Sequence, residues 1–265
     1  MPAQEEKREE YTRGVCLTRN SVCTLSRHVV ESLLKFRLNA INVEISQYPG
    51  QQVVPFDMIE SLLVLGFIPV LHGDAILHPS NAQSGFTIYS GDLIIEDLAR
   101  HFSSRAGGGC GASFPNRRIF APKVVVFFLT DVDGVFNAPP SAGSAVLIPE
   151  IAVHAASVPQ IIKKESLRHD ALHVFLKNDG GYDIEASSLS HSSKHQNGIE
   201  FTTLEQDVTG GIKSKIDACI RIATSCKEDV FILRVDAELS NFENAVNFAL
   251  DRAQDRFQGT WIHEC

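Results

Sequence analysis

The 265-residue sequence predicts an α/β fold with a mainly parallel sheet covered by helices on both faces. Three observations carry this. Apolar runs alternate with amphipathic segments along the chain. The runs are continuous in Val, Ile, Leu and Phe, the signature of strands buried on both sides. Two of them stop abruptly at polar clusters, His72-Gly73-Asp74 and Thr130-Asp131. Ligands on open parallel sheets bind just beyond the carboxyl ends of the strands.

The elements follow in order. Val22, Leu25, Val29, Leu33 and Leu34 recur at helical spacing, which predicts a helix over 21–38. Residues 40–46, AINVEIS, read as a strand. FDMIESLLVLGF (56–67) is an amphipathic helix closed by Gly66 at its C-cap, and IPVLHGD (68–74) is the next strand. A Ser-Gly-Asp cap opens a helix over 90–102. Residues 105–118 are glycine-rich and read as a surface insertion, without the spacing of a phosphate-binding fingerprint. KVVVFFLTDVDGVF (123–136) is a strand running into two carboxylates and a glycine. Residues 186–198 read as a loop, with His173, His191 and His195 in or near it as solvated side chains or, alternatively, as metal ligands. Beyond Lys215 come a helix (216–226), a strand (229–235), a helix (241–253) and a short closing strand (259–262).

Composition removes several classes. With 44% hydrophobic and 21% charged residues the chain is an ordinary globular one. Its net charge of −8 and the absence of a basic stripe argue against nucleic acid. No apolar run approaches the ~20 residues a membrane-spanning helix needs, and the charged start MPAQEEKREEYTR has no signal core. The six cysteines form no C-x-x-C pair, so a zinc site is not expected. Cys219 and Cys226, seven apart in a helical pattern, fit core packing. The expected state is reduced thiols in a cytoplasmic protein.

The chemistry lies in two stretches. TGGIKSK (209–215) offers glycines for close backbone approach and then two lysines. A helix starting near Gly211 would aim its N–H groups and positive dipole end at a phosphate. Lys213 and Lys215 are two residues apart and cannot share a face. By itself the stretch also reads as a plain turn before a helix. Asp131, at a strand end, either holds a lysine or binds water around a magnesium ion, unless it only makes a turn closed by Gly134.

FLTDVDGVFNAPP and DVTGGIKSKI, in this order, resemble the amino-acid kinase superfamily. IPVLHGDAIL, TIYSGDLIIEDLA and GVCLTRNSVCTLSRHVVESLL narrow the resemblance to the isopentenyl phosphate kinases, which pass the γ-phosphoryl of ATP to isopentenyl phosphate and yield isopentenyl diphosphate. The resemblance implies a three-layer αβα sandwich, usually a homodimer, using ATP and Mg2+. It implies that Asp131 organises the catalytic lysines. Lys215 joins it as a catalytic residue, and Thr130, Asp133, Gly134, Gly210 and Gly211 line the nucleotide side with them. Gly91 would contact the acceptor phosphate, with Asp92, His72 and Gly73 on the same side. Magnesium would be held mostly by ATP oxygens and water, with no protein cage.

On this reading residues 1–12 form a charged tail and 13–265 the kinase-like domain. A substrate-side half spans 13–122, with an insertion at 103–122, and a nucleotide-side half spans 123–265. Family members open with a strand, a lysine and a glycine pair, then a glycine-rich stretch with a histidine. The residues before GVCLTRNSV offer no counterpart to these, so the expected activity of this chain by itself is weak or absent. The competing expectations are a non-catalytic nucleotide-binding or dimerisation protein, and a kinase for another small phosphate or carboxylate.

Overall fold

The computed structural model describes residues 2–46, 52–78, 85–106, 123–138, 140, 143, 145–154, 171–176, 182–186, 211–236, 238–251 and 257–265. The chain divides into two compact units, Met1–Leu98 and Ala99–Cys265. This places the division earlier than the 122/123 boundary drawn from the sequence.

In the first unit, helix α1 (Pro2–Lys35) leads to strand β1 (Ala40–Asn42). Helix α2 (Phe56–Val64) then connects β1 to the parallel strand β2 (Ile68–Val70), with Ala40 opposite Ile68. Gly66 closes α2 as expected. It takes φ +81°, and the Phe67 N–H donates to the Leu62 carbonyl at 2.9 Å. Strands β3 (Asp74–Leu77) and β4 (Phe86–Tyr89) pair antiparallel, and helix α3 (Gly91–Ala106) begins one residue beyond Ser90. Ser90 caps it, since the Leu93 N–H donates to Ser90 Oγ at 3.3 Å.

The charged segment read as a tail is helical, since α1 already runs from Pro2. One expectation about α1 is corrected: of the apolar residues read as its core face, Leu25, Val29 and Leu34 are exposed. Val22 and Leu33 do turn inward as expected, together with Arg19, Cys23, Val30 and the buried Ser26. Ser26 bonding to Asn42 and Arg19 pairing with Asp74 tie this face to β1 and β3.

The second unit is a six-stranded sheet, ordered β10-β9-β8-β12-β11-β5. Its strands are β5 (Val125–Thr130), β8 (Glu150–His154), β9 (Ala171–Leu176), β10 (Tyr182–Ala186), β11 (Asp229–Arg234) and β12 (Thr260–Glu264). Three of the five pairings are parallel, β5 with β11 among them, and two are antiparallel. A small hairpin of β6 (Val135–Phe136) and β7 (Leu147–Ile148) stands apart.

Helix α4 (Gly211–Cys226) packs on β8, β11 and β12 through a face that buries Ile216, Cys219, Ile220, Ile222 and Ala223. Helix α5 (Leu239–Asp251) covers the other face, where Ala245 and Ala249 meet Phe231 and Leu233. Phe231 is wholly buried and stacks on Phe127 at 5.1 Å. Burying such a ring is worth about 1.5–3 kcal/mol. The expected layering of helices on both faces of a mainly parallel sheet therefore holds.

The strand read over 123–136 breaks after Thr130 and resumes only as β6. Strands β8, β9 and β10 were not read from the sequence at all. His173 lies on β9 and is 4% exposed, which corrects its reading as a solvated loop residue. His191, His195, Gly210 and the stretch 107–122 lie outside the described residues.

Candidate functional site

In the second unit the site is built at the carboxyl end of β5. Strands β5 and β11 run in parallel register, Thr130 opposite Arg234, and the Val235 N–H donates to the Thr130 carbonyl at 2.7 Å. The two strands thus end together. Thr130 then starts a turn: its hydroxyl donates to the Val132 carbonyl at 2.7 Å and accepts from the Val132 N–H at 3.3 Å. This side-chain turn replaces the ladder and swings Asp131 outward. Asp131 is exposed, Asp133 half-buried and Gly134 buried.

Gly134 is required by close approach. Its φ is +156°, and a Cβ there would stand 2.5 Å from Thr260 Oγ1 and 3.0 Å from the Thr260 nitrogen. That hydroxyl accepts from the Val135 N–H at 2.8 Å and donates to the Ile148 carbonyl at 2.7 Å. Thr260, 0% exposed, therefore pins the acidic turn to the start of β12.

Lys215 is the fifth residue of α4, which begins at Gly211. Its Nζ lies 5.0 Å from the centre of the Phe128 ring, a cation–π contact. Phe128 precedes Thr130 by two residues on the same face of β5, about 7 Å along the strand. Lys213 is exposed. Lys215, distant in sequence, thus meets β5 at Phe128, three residues before Asp131.

Arg234 was missed by the sequence reading. Its guanidinium forks onto Asp236, through Nε and, at 3.0 Å, through Nη2. The Asp236 hydrogen bond and charge hold the Arg234 pKa above its ordinary value. Asp133 and Asp131 add to the effect, while desolvation opposes it. Asp236 is correspondingly lowered. No motif flags this arginine; only the β5–β11 register places it beside Thr130.

In the first unit the substrate-side candidates gather at the ends of β2 and β4. Gly73 is packed so closely that a Cβ would meet the Tyr89 carbonyl oxygen at 2.7 Å and the Gly91 nitrogen at 3.0 Å. Gly73 therefore faces the Gly91 nitrogen across a gap too small for a side chain. Asp92 is half-buried in the first turn of α3. A Cβ on Gly91 meets no described atom within 4 Å, so packing does not demand glycine there.

His72 is half-buried, with Nδ1 3.0 Å from the Gly73 carbonyl oxygen and Nε2 3.9 Å from Cys23 Sγ. Asp74, 3% exposed, is paired with Arg19, whose other branch reaches Glu44 at 3.2 Å. Ser26 donates to Asn42 Oδ1 at 2.6 Å. Arg19 also escaped the sequence reading, since one arginine among the many charges of α1 carries no signal.

Among the described residues there is no cluster of three or more His, Cys, Asp or Glu side chains able to cage a metal. The donors at hand are the carboxylates of Asp131 and Asp133. That set fits magnesium, which is held by one or two carboxylates together with phosphate oxygens and water.

No family profile matches the chain. The fold is matched by solved structures. The T. acidophilum isopentenyl phosphate kinase product complex superposes with a TM-score of 0.56 at 19% identity, covering 95% of this chain and 71% of that one. An isopentenyl phosphate kinase substrate complex gives 0.56 at 18%, covering 95% and 72%. The fold is therefore that of the isopentenyl phosphate kinases, αβα and amino-acid kinase-like.

Sequence agrees. The chain is 30% identical over 258 residues to the isopentenyl phosphate kinase of Arabidopsis thaliana, across 94% of its own length. It is 23% identical over 225 residues to that of Thermoplasma acidophilum. It spans 62% and 63% of the length of these two relatives. The chain is thus a relative of the isopentenyl phosphate kinases in both sequence and fold.

Proposed function

We propose that the protein transfers the γ-phosphoryl of ATP to isopentenyl phosphate, forming isopentenyl diphosphate and ADP. The observation that carries this reading is the 30% identity to the Arabidopsis isopentenyl phosphate kinase across 94% of the chain. The acceptor is already an ionised phosphate, so the chemistry needs no general base. It needs positioning and charge neutralisation.

On this reading the nucleotide side is the β5 end. Lys215, with the N–H groups at the start of α4, holds ATP phosphates, together with Gly210 and Gly211. Thr130, Asp133 and Gly134 shape the turn. Asp131 orients the cationic groups and the waters around magnesium. Magnesium, when bound, neutralises charge on the phosphates. Arg234 is a further cation at the same strand end. On the acceptor side the Gly91 N–H and the start of α3, with Asp92, His72 and Gly73, meet the isopentenyl phosphate. A homodimer working in the cytoplasm completes the proposal.

The test is an assay of ATP and isopentenyl phosphate with the protein, following ADP and isopentenyl diphosphate together. The expected result is one diphosphate per ADP, abolished without magnesium. Lys215→Ala lowers the rate by about 10²–10³, the effect of losing one donor to the transferring group. A protein that binds ATP by calorimetry but forms no diphosphate would overturn the catalytic reading and leave a nucleotide-binding protein.

A further inference from the structure

The inward face of α1 carries a thiol in a chemically distinctive setting. Cys23 Sγ lies 3.9 Å from His72 Nε2. The other ring nitrogen, Nδ1, is 3.0 Å from the Gly73 carbonyl oxygen. A carbonyl only accepts, so Nδ1 carries a proton and Nε2 turns its lone pair toward the thiol. One helical turn before Cys23 stands Arg19. Burial pulls the Arg19 pKa down, but its hydrogen bond to Asp74, then the charges of Asp74, Cys23 and Glu44, hold it above its ordinary value.

The thiol therefore has a proton acceptor in His72, and the Arg19 guanidinium stands one helical turn away. Asp74 and Glu44 are engaged by that same guanidinium. Cys23 is also half-accessible, whereas Cys219 is buried. A nucleophilic cysteine needs a nearby base oriented by a third group, and here His72 is the base and the Gly73 carbonyl orients it.

We propose that Cys23 is a reactive thiol that forms a mixed disulfide with low-molecular-weight disulfides such as oxidised glutathione. The thiol proton passes to His72 Nε2, and Cys23 Sγ attacks one sulfur of the disulfide. A new S–S bond forms as the old one breaks. The departing thiolate leaves with the electron pair and takes up the proton from His72. Cys23 is oxidised and one equivalent of free thiol is released. The adduct sits against the His72-Gly73 turn. Blocking of isopentenyl phosphate by the adduct rests on the proposed function; the reactivity of Cys23 does not.

Cys16 provides the internal standard. It is exposed on the same helix, whereas Cys23 is partly covered. Cleavage after Arg13, Arg19 and Arg27 by trypsin puts them in separate peptides, 14–19 and 20–27. The whole protein is treated with oxidised glutathione and adducts are followed by mass spectrometry. Cys23 is expected to react about tenfold faster than Cys16 in the native protein, and at about the same rate in 8 M urea, where its partners are lost. His72→Ala lowers the rate at Cys23 several-fold and leaves Cys16 unchanged.

Native rates that follow exposure, with Cys16 faster, overturn the proposal whether or not the variant folds. So does a ratio that survives in urea. An activity arm separates the two readings. Loss of phosphoryl transfer on modification, reversed by dithiothreitol and absent in Cys23→Ser, supports both. Fast modification with full activity retained supports the thiol site and removes His72 from the acceptor side.

Discussion

At the scale of single residues, two glycines a few ångströms apart serve different ends. Gly73 is fixed by packing, since an added Cβ would press on the Tyr89 carbonyl. Gly91 faces no described atom within 4 Å. Gly73→Ala should therefore lower the melting temperature, while Gly91→Ala should leave it unchanged and, if the proposed function holds, raise KM for isopentenyl phosphate. Thermal melts beside steady-state kinetics check both. A folded, stable Gly91→Ala enzyme with unaltered KM would remove that residue from the acceptor site.

His263 makes a second residue-scale prediction. Burial disfavours its charged form, but hydrogen bonds with Cys265, Glu150 (at 3.0 Å) and the Glu264 carbonyl outweigh burial and raise its pKa to about 9. The folded state thus binds a proton that the unfolded chain, near 6.5, releases earlier. This contribution is fully present below pH 6.5 and is lost as pH rises through about 9. Melting temperature should fall across that window, and Glu150→Gln should flatten the fall. An unchanged slope in the variant would show that Glu150 does not set the titration.

At the scale of elements, the acidic turn is a joint between β5, β6 and β12. Sequence reading found its carboxylates and its glycine. It did not find the break in the strand, because Val135 and Phe136 continue the apolar pattern in the 123–136 stretch. The partner that pins the turn, Thr260, lies 126 residues beyond Gly134. Gly134→Ala combines an unfavourable φ with a 2.5 Å contact to Thr260 Oγ1. It is expected to cost about 1–3 kcal/mol in denaturant unfolding. Thr260→Ser keeps the hydroxyl and should be milder than Thr260→Val, which leaves the Val135 N–H without its acceptor. Equal costs for the two would show that the hydroxyl does not anchor the turn.

At the scale of the whole molecule, the two units differ in how much they bury. Phe231, Ile232, Leu233 and Ile262 are sealed in the second unit. The first leaves Leu17, Leu25, Leu34, Phe36, Val64 and Leu65 exposed and holds a polar set on the inner face of α1. Stability follows buried apolar area, so the first unit is expected to unfold first. Trp261, the single tryptophan, lies in the second unit, whereas the 34-residue helix α1 dominates the helicity of the first. Helical circular dichroism should therefore fall at lower temperature than tryptophan fluorescence changes. Coincident transitions would mean that the units unfold as one.

The sequence by itself determined the layered α/β class, the polar clusters that end two of its apolar runs, and the capping residues of α2 and α3, while the choice of Lys215 over Lys213 came from the family resemblance. The first three are local signals: periodicity, caps and a carboxylate stranded at the end of an apolar run. The tertiary structure alone decided which face of α1 turns inward, where β5 stops, that β8, β9 and β10 extend the sheet, and that Arg234 and Arg19 stand at the strand ends. Each of these depends on a partner far away in the chain. Strand register and buried polar pairing are settled only when those partners meet, so no short window of residues records them.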